Sequence, residues 1–334
     1  MKDGFVVGVA DRFHAEARAW LTEKLHGKKN ARIVDVKSGA DLAACNGLIV
    51  RSKFALTRAR LAQAPELRAA VTATAGFEHM DLAAAQERGV RLAYTPDAHT
   101  APAAELTWAL ALTAARKLNS AWRAQTEARW ASRDELLGEN LSGRTYGIVG
   151  LGRIGRRVGR IAQAFGMKLV AYDPYLDDEA FGNIGADRLA LDELIHAADV
   201  ISLHVPLTDE TRRLIHGGHL QHLREGQILI NTSRGEVLAE DNLLTHLKAG
   251  GAGVFALDVF AREPLPADSP LWSHPQVLCT PHMGALTEAA FREASLQAAS
   301  SLLQLLGAIE GTQGLDAPNM LPPQAEWYTS RFNP

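Results

Sequence analysis

Three glycines, Gly150, Gly152 and Gly155, punctuate the run Gly147-Ile148-Val149-Gly150-Leu151-Gly152-Arg153-Ile154-Gly155, and the apolar run Lys168-Leu169-Val170-Ala171-Tyr172 ends in Asp173. Gly150 permits a tight turn out of a strand, Gly152 lets the backbone approach a pyrophosphate, and Gly155 lets the following helix pack close to the sheet. That helix would offer its unpaired N–H groups and the positive end of its dipole to phosphates. Asp173 follows the glycines by about twenty residues, where a carboxylate accepts hydrogen bonds from a ribose 2′-hydroxyl. A 2′-phosphate there would meet a like charge, at a cost of roughly 4 kcal/mol for a pair about 4 Å apart at an effective dielectric constant of 20. The pattern predicts a dinucleotide-binding unit that takes NAD in preference to NADP, with Arg153 beside the pyrophosphate and Ile154 next to it in the turn.

Four further segments follow in order: His204-Val205-Pro206-Leu207-Thr208 with Thr211; Asn231-Thr232-Ser233-Arg234-Gly235; Ala256-Leu257-Asp258-Val259-Phe260 with Glu263-Pro264; and Thr280-Pro281-His282-Met283-Gly284. Together with the glycine turn they resemble the D-isomer-specific 2-hydroxyacid dehydrogenase family over nearly the whole chain. The resemblance implies an NAD-dependent oxidoreductase that moves a hydride between the nicotinamide and a small 2-hydroxy or 2-keto acid. It places the catalytic set on Arg234, Glu263 and His282, and these are groups that reducing a 2-keto acid requires. A guanidinium holds a carboxylate and the adjacent carbonyl oxygen through its planar fork. An imidazolium donates a proton to that oxygen as hydride reaches the carbon, and takes it back in oxidation. A carboxylate beside the imidazole favours its charged form and fixes its ring. By the same resemblance His204 lies near the cofactor, Val205 and Pro206 line its adenine side, and Thr232, Arg234 and Asp258 reach its nicotinamide end. Thr211, Ser233, His282 and Gly284 complete the expected cofactor contacts.

Substrate contacts are also expected upstream. Val50-Arg51-Ser52-Lys53 and Thr72-Ala73-Thr74-Ala75-Gly76-Phe77 are similar to the family's two substrate loops, and N–H groups at Ala75 and Gly76 suit a carboxylate. Thr72 to Gly76 is locally similar to the erythronate-4-phosphate branch, in which the positions matching Ser52 and Thr74 touch substrate; Leu286 stands where that branch has tyrosine. Arg51 and Lys53 are compatible with a phosphorylated acid such as 3-phosphoglycerate.

The elements that must position these groups alternate in type. Strands are predicted at 5–10, 32–36, 47–50, 69–73 and 90–94, and again, around and after the glycine unit, at 200–204, 227–231, 253–258 and 277–279. Strands alternating with helical patterns imply parallel sheets covered on both faces. A helix over 102–118 and a last long helix over 286–306 frame the second series. The expected fold is α/β with two doubly wound parallel-sheet domains: a Rossmann NAD-binding domain, residues 98–285, inserted into a discontinuous flavodoxin-like substrate domain, residues 1–97 and 286–334. The tail carries Trp327, Tyr328 and Phe332.

The 334 residues are 47% hydrophobic and 22% charged with a formal net charge of −3, a composition for two globular cores that gives no reason to expect binding to nucleic acid or to an anionic membrane. Two cysteines, Cys45 and Cys279, without metal-type spacing, predict neither a disulfide framework nor a metal site. The first residues pass at once into a strand pattern without the layout of a signal peptide, which points to the cytoplasm. The resemblance further implies a homodimer joined through the cofactor domain. Two other functions fit parts of the pattern: an NAD-responsive, non-enzymatic corepressor-like protein, and a branch that oxidises phosphite, to which Thr95-Pro96-Asp97 and Pro102-Ala103-Ala104-Glu105-Leu106 have a faint likeness.

Overall fold

A computed structural model of the chain describes residues 6–128, 130–308 and 319–321. The tail aromatics Trp327, Tyr328 and Phe332 lie outside the described residues. The chain divides into two units, one of residues 1–99 and 285–334 and one of residues 100–284, bounds that differ by two residues and one residue from those expected.

The first unit is built on five parallel strands: β1 (Val6–Val9), β2 (Arg32–Asp35), β3 (Gly47–Val50), β4 (Ala69–Thr72) and β5 (Arg91–Tyr94), in the order β2-β1-β3-β4-β5. This is the flavodoxin-like order. Successive side chains point to opposite faces. Leu48, Val50, Ala70 and Leu92 therefore pack with Leu61, Ala84 and Ala85 on one side. Val7, Ile49, Val71 and Ala93 pack with Leu21, Ala294, Ala298 and Leu302 on the other. Helices cover both faces, so β3 and β4 are buried throughout and read as unbroken apolar runs. The last long helix, Glu288–Leu305, lays Ala290, Ala294 and Ala298 at four-residue spacing toward the sheet. It starts after Thr287, whose hydroxyl accepts the Ala290 N–H at 3.1 Å, and so begins two residues later than the apolar pattern predicts.

The second unit holds seven parallel strands: β6 (Thr145–Val149), β7 (Lys168–Tyr172), β8 (Asp187–Arg188), β9 (Val200–Leu203), β10 (Ile228–Asn231), β11 (Val254–Leu257) and β12 (Val277–Cys279), in the order β12-β11-β10-β9-β6-β7-β8. Renumbered from β6, this is the Rossmann order with one added edge strand. The strands are all parallel, and the direction in which the chain adds them to the sheet reverses between β6 and β9; ligands of such sheets bind outside the carboxyl ends of the strands at that point. Gly150, His204, Thr232, Asp258 and Thr280 all lie just past those ends.

Two elements depart from expectation. The helix predicted over 102–118 runs from Asp97 to Ala115 with Pro102 inside it, and Lys117, at φ 50°, separates it from a second helix, Leu118–Thr126. Pro102 is the sixth residue of that helix and forgoes the bond to the Ala98 carbonyl, so a proline there marks the early part of the helix without marking its first residue. β8 is two exposed polar residues at the sheet edge and carries no apolar signal. Among the described residues no helix is long and apolar enough to cross a membrane, and Cys45 and Cys279 are free thiols.

Candidate active site

The glycine turn is shaped as its residue types require. Gly150 sits at φ 95°, and a Cβ there would lie 2.8 Å from the His204 carbonyl. A Cβ on Gly155 would lie 2.1 Å from the Gly150 oxygen, so only glycine lets the helix Arg153–Ala164 start against the turn. Gly152 caps that helix in extended conformation without any side-chain cap, and Arg153 and Ile154 begin it. Asp173 turns back onto this loop: one carboxylate oxygen accepts the Leu151 N–H at 2.9 Å and the other the Tyr175 N–H at 3.1 Å. The uncapped helix start, the turn that admits no Cβ and the acid seated against it together fit an NAD molecule.

The loop after β9 is tied by its own hydroxyls. Thr211 Oγ1 donates to the Pro206 carbonyl at 2.5 Å and accepts the Thr208 N–H at 2.8 Å, which fixes the turn that follows Val205 and Pro206. His204 Nε2 lies 2.8 Å from Ser202 Oγ, and burial of the ring pushes its pKa down to about 3, which favours the neutral imidazole.

Past β10, the fully buried Asn231 organises the next turn: its Oδ1 accepts from the Ser233 N–H at 3.0 Å and the Ser233 hydroxyl at 2.8 Å, and its Nδ2 donates to the Arg234 carbonyl at 2.9 Å. Thr232 Oγ1 lies 2.8 Å from Thr107 Oγ1. Gly235 is packed so closely that a Cβ would fall 1.9 Å from the Phe260 carbonyl carbon, which brings the Arg234 turn against the loop bearing Glu263.

That loop meets the one after β12. His282 Nδ1 lies 2.6 Å from Glu263 Oε2, while Glu263 Oε1 accepts the Phe260 N–H at 3.1 Å. The hydrogen bond to Glu263 raises the His282 pKa above its ordinary value despite burial; on Glu263 burial acts upward, and the His282 contact with the Arg234 charge outweighs it and lowers the pKa. The Arg234 charge acts on both groups, lowering the pKa of each. His282 itself adopts φ 49°, a rare backbone for this residue type. Asp258, 1% exposed, holds it there: its carboxylate accepts from Thr280 Oγ1 at 2.6 Å and from the Met283 and Gly284 N–H groups at 2.8 Å each, and its carbonyl accepts the His282 N–H at 2.8 Å. Burial pushes the Asp258 pKa up and those donors oppose the shift. The resemblance assigned Asp258 to the nicotinamide end; its carboxylate is engaged with the histidine's loop.

In the first unit, Ser52, Thr74, Ala75 and Gly76 stand past the carboxyl ends of β3 and β4. Ser52 is exposed and the other three are half-buried. Thr74 Oγ1 donates to the Gly76 carbonyl at 2.7 Å and lies 2.6 Å from Thr72 Oγ1, which in turn is 2.9 Å from His79 Nε2. The Thr74 hydroxyl therefore shapes its loop. Arg51 lies with its guanidinium 5.2 Å from the Phe291 ring centre, and Lys53 is exposed. Three residues that organise the site went unassigned in the sequence: Asn231, Ser202 and His79. Asn231 opens the run Asn231-Thr232-Ser233-Arg234-Gly235, but nothing in a linear pattern shows that a side chain folds back on its own turn.

A sequence profile of the D-isomer specific 2-hydroxyacid dehydrogenase NAD binding domain matches residues 108–284. D-3-phosphoglycerate dehydrogenase of Methanocaldococcus jannaschii is 37% identical over 274 residues, 82% of this chain and 52% of that protein. Glyoxylate reductase of Aeropyrum pernix is 36% identical over 270 residues, 78% of each chain. The chain spans about half the length of the curated phosphoglycerate dehydrogenases it matches. Among solved structures, D-lactate dehydrogenase of Aquifex aeolicus in complex with NAD and lactic acid superposes with a TM-score of 0.78 at 28% identity, covering 91% of this chain and 96% of that one.

Proposed function

Because the chain belongs to the D-isomer specific 2-hydroxyacid dehydrogenase family, we propose that it is an NAD-dependent dehydrogenase that interconverts a small 2-hydroxy acid and its 2-keto acid. The observation that carries this reading is the 2.6 Å contact between His282 Nδ1 and Glu263 Oε2 beside the charge of Arg234. NAD supplies the hydride acceptor, and NADH the donor.

In this reading the glycine turn and Asp173 bind the dinucleotide, and Val205, Pro206, Thr211, Thr232, Ser233 and Gly284 flank it. Arg234 grips the substrate carboxylate and polarises the carbonyl through its fork of donors. Glu263 occupies Nδ1 of His282, which leaves Nε2 to give its proton to the substrate oxygen during reduction and to remove it during oxidation. Asp258 is the group that holds His282 in place. Ser52, Thr74, Ala75 and Gly76 are the substrate-binding groups contributed by the first unit, the last two through backbone N–H. The protein works as a homodimer through its NAD-binding unit, a reading supported by Trp122, Trp130 and Leu137, which are 60%, 85% and 82% exposed in one stretch of that unit.

Mixing the protein and NADH with glyoxylate, hydroxypyruvate, pyruvate, phenylpyruvate and phosphohydroxypyruvate tests the activity. Consumption of NADH with at least one acid is expected. No consumption with any of them, while NADH is shown to bind, overturns the catalytic reading.

A further inference from the structure

Two loops of the second unit, one after β7 and one after β9, the strands on either side of β6, are tied across the place where Asp173 sits. Tyr175, two residues past Asp173 in the loop after β7, donates its phenol to Oε2 of Glu210 in the loop after β9. Tyr175 also anchors Asp173 by its backbone N–H, at 3.1 Å. One residue thus holds two carboxylates, one through the main chain and one through the side chain. The hydrogen bond to Glu210, with the charges of Glu210 and Asp173, pushes the Tyr175 phenol up to about 12, so it keeps its proton and remains the donor. Arg213, a cation three residues beyond Glu210, is drawn to Asp241 at 2.8 Å and does not neutralise this pair.

We propose that Glu210, held in position by Tyr175, is a second determinant of cofactor choice that acts with Asp173 to turn away a 2′-phosphorylated dinucleotide. The inference rests on the reading that the glycine turn holds NAD. Asp173 alone has both oxygens engaged by backbone N–H groups, and each such bond draws charge from the face that would repel a phosphate. Glu210 adds a negative charge on a loop whose course is set by the Thr208 and Thr211 hydroxyls, and its carboxylate accepts the Tyr175 phenol. Tyr175 bonds Asp173 by its backbone and Glu210 by its phenol, so about the length of one tyrosine separates the two carboxylates, comparable with the Debye length of about 8 Å over which exposed charges interact at physiological salt. Glu210 is the specificity residue, and Tyr175 is a positioning residue that acts through it.

Equilibrium titration with NADH and NADPH, followed by the nucleotide fluorescence, gives the ratio of the two Kd values for the native chain and for Glu210→Gln, Glu210→Asp, Tyr175→Phe and Asp173→Ala. Glu210→Gln should lower the NADPH-to-NADH Kd ratio by about tenfold, chiefly by tightening NADPH, and Tyr175→Phe by about threefold. Glu210→Asp keeps the charge and should hold the ratio within about threefold of the native value. Added salt should shrink the native ratio by more than that of Glu210→Gln, in which the Asp173 charge alone remains to be screened, a difference that a merely structural role would not give. If NADH binds every variant and Asp173→Ala changes the ratio while Glu210→Gln leaves it as it was, the inference fails and the cofactor reading stands. A native chain that binds neither nucleotide overturns the cofactor reading itself.

Discussion

Asp258 and His282 are joined through the main chain, the Asp258 carbonyl accepting the His282 N–H at 2.8 Å while the Asp258 carboxylate takes the next two N–H groups along. The acid–base candidate is thereby held at φ 49° by a residue bonded to its main chain and to that of the two residues after it. Glu263 then fixes the ring from the other side at 2.6 Å. Backbone and imidazole are set by two different carboxylates, and their removal should have different effects.

Removing the first should cost stability as well as rate. Asp258→Ala leaves the Met283 and Gly284 N–H groups and the Thr280 hydroxyl without their acceptor in a buried place, and each unsatisfied buried group costs about 1–3 kcal/mol. Urea unfolding should show a loss of about 2–5 kcal/mol, with turnover falling as the loop relaxes to an ordinary backbone. Native stability together with native turnover would show that the loop holds itself.

Removing the second should move a pH profile. The His282 pKa is raised above 6.5 mainly by its hydrogen bond to Glu263, so reduction, which needs the protonated ring, should persist past neutral pH and decline as pH rises through the folded-state value. The same group contributes folding stability that is full below its unfolded pKa and is lost as pH rises through the folded pKa. The depressed Glu263 pKa contributes stability that is present above its unfolded value and is lost as pH falls through the folded one. Glu263→Gln should bring the alkaline limb of kcat/KM for keto-acid reduction down toward 6.5. An unmoved limb would assign the titration to another group.

Replacing the acid itself separates chemistry from binding. His282→Ala should lower turnover by about 10² to 10⁴-fold, the range expected for loss of a general acid, while the Kd for NADH stays close to native. Equal turnover would mean that the proton comes from another donor.

The legible part of this molecule is the part whose chemistry demands particular residue types. Gly150 and Gly155 were readable because their backbone conformation or close packing excludes a Cβ. The central strands were readable because burial on two faces writes itself as mostly apolar runs, as in β3, β4, β9 and β10, with Ser202 and Asn231 as single polar residues in the last two. Motif likeness points to Arg234, Glu263 and His282, and only folding shows that the loops of Glu263 and His282 meet and that the Arg234 turn packs on Phe260. What stayed hidden depends on contacts between distant residues. Edge strand β8 gains its form from pairing with β7 and has no pattern of its own. The seating of the Arg234 turn on Phe260, and the bridge from Tyr175 to Glu210, join residues 25 or more positions apart that share no local rule.

The proposed dimer offers a test at the surface. Trp130 and Leu137 are large apolar side chains left 85% and 82% exposed, with Trp122 at 60% in the preceding helix, whereas a folded monomer rarely leaves such a group clustered in water. Light scattering on the native chain should give twice the chain mass. Trp122→Glu combined with Leu137→Glu should shift it to a single chain mass, since a charge placed in an apolar interface loses its hydration without gaining a partner. The fold itself should survive, because both side chains already face solvent in the isolated chain. A native protein of single-chain mass, or a double variant that keeps the native mass, would place the dimer contact elsewhere or remove it.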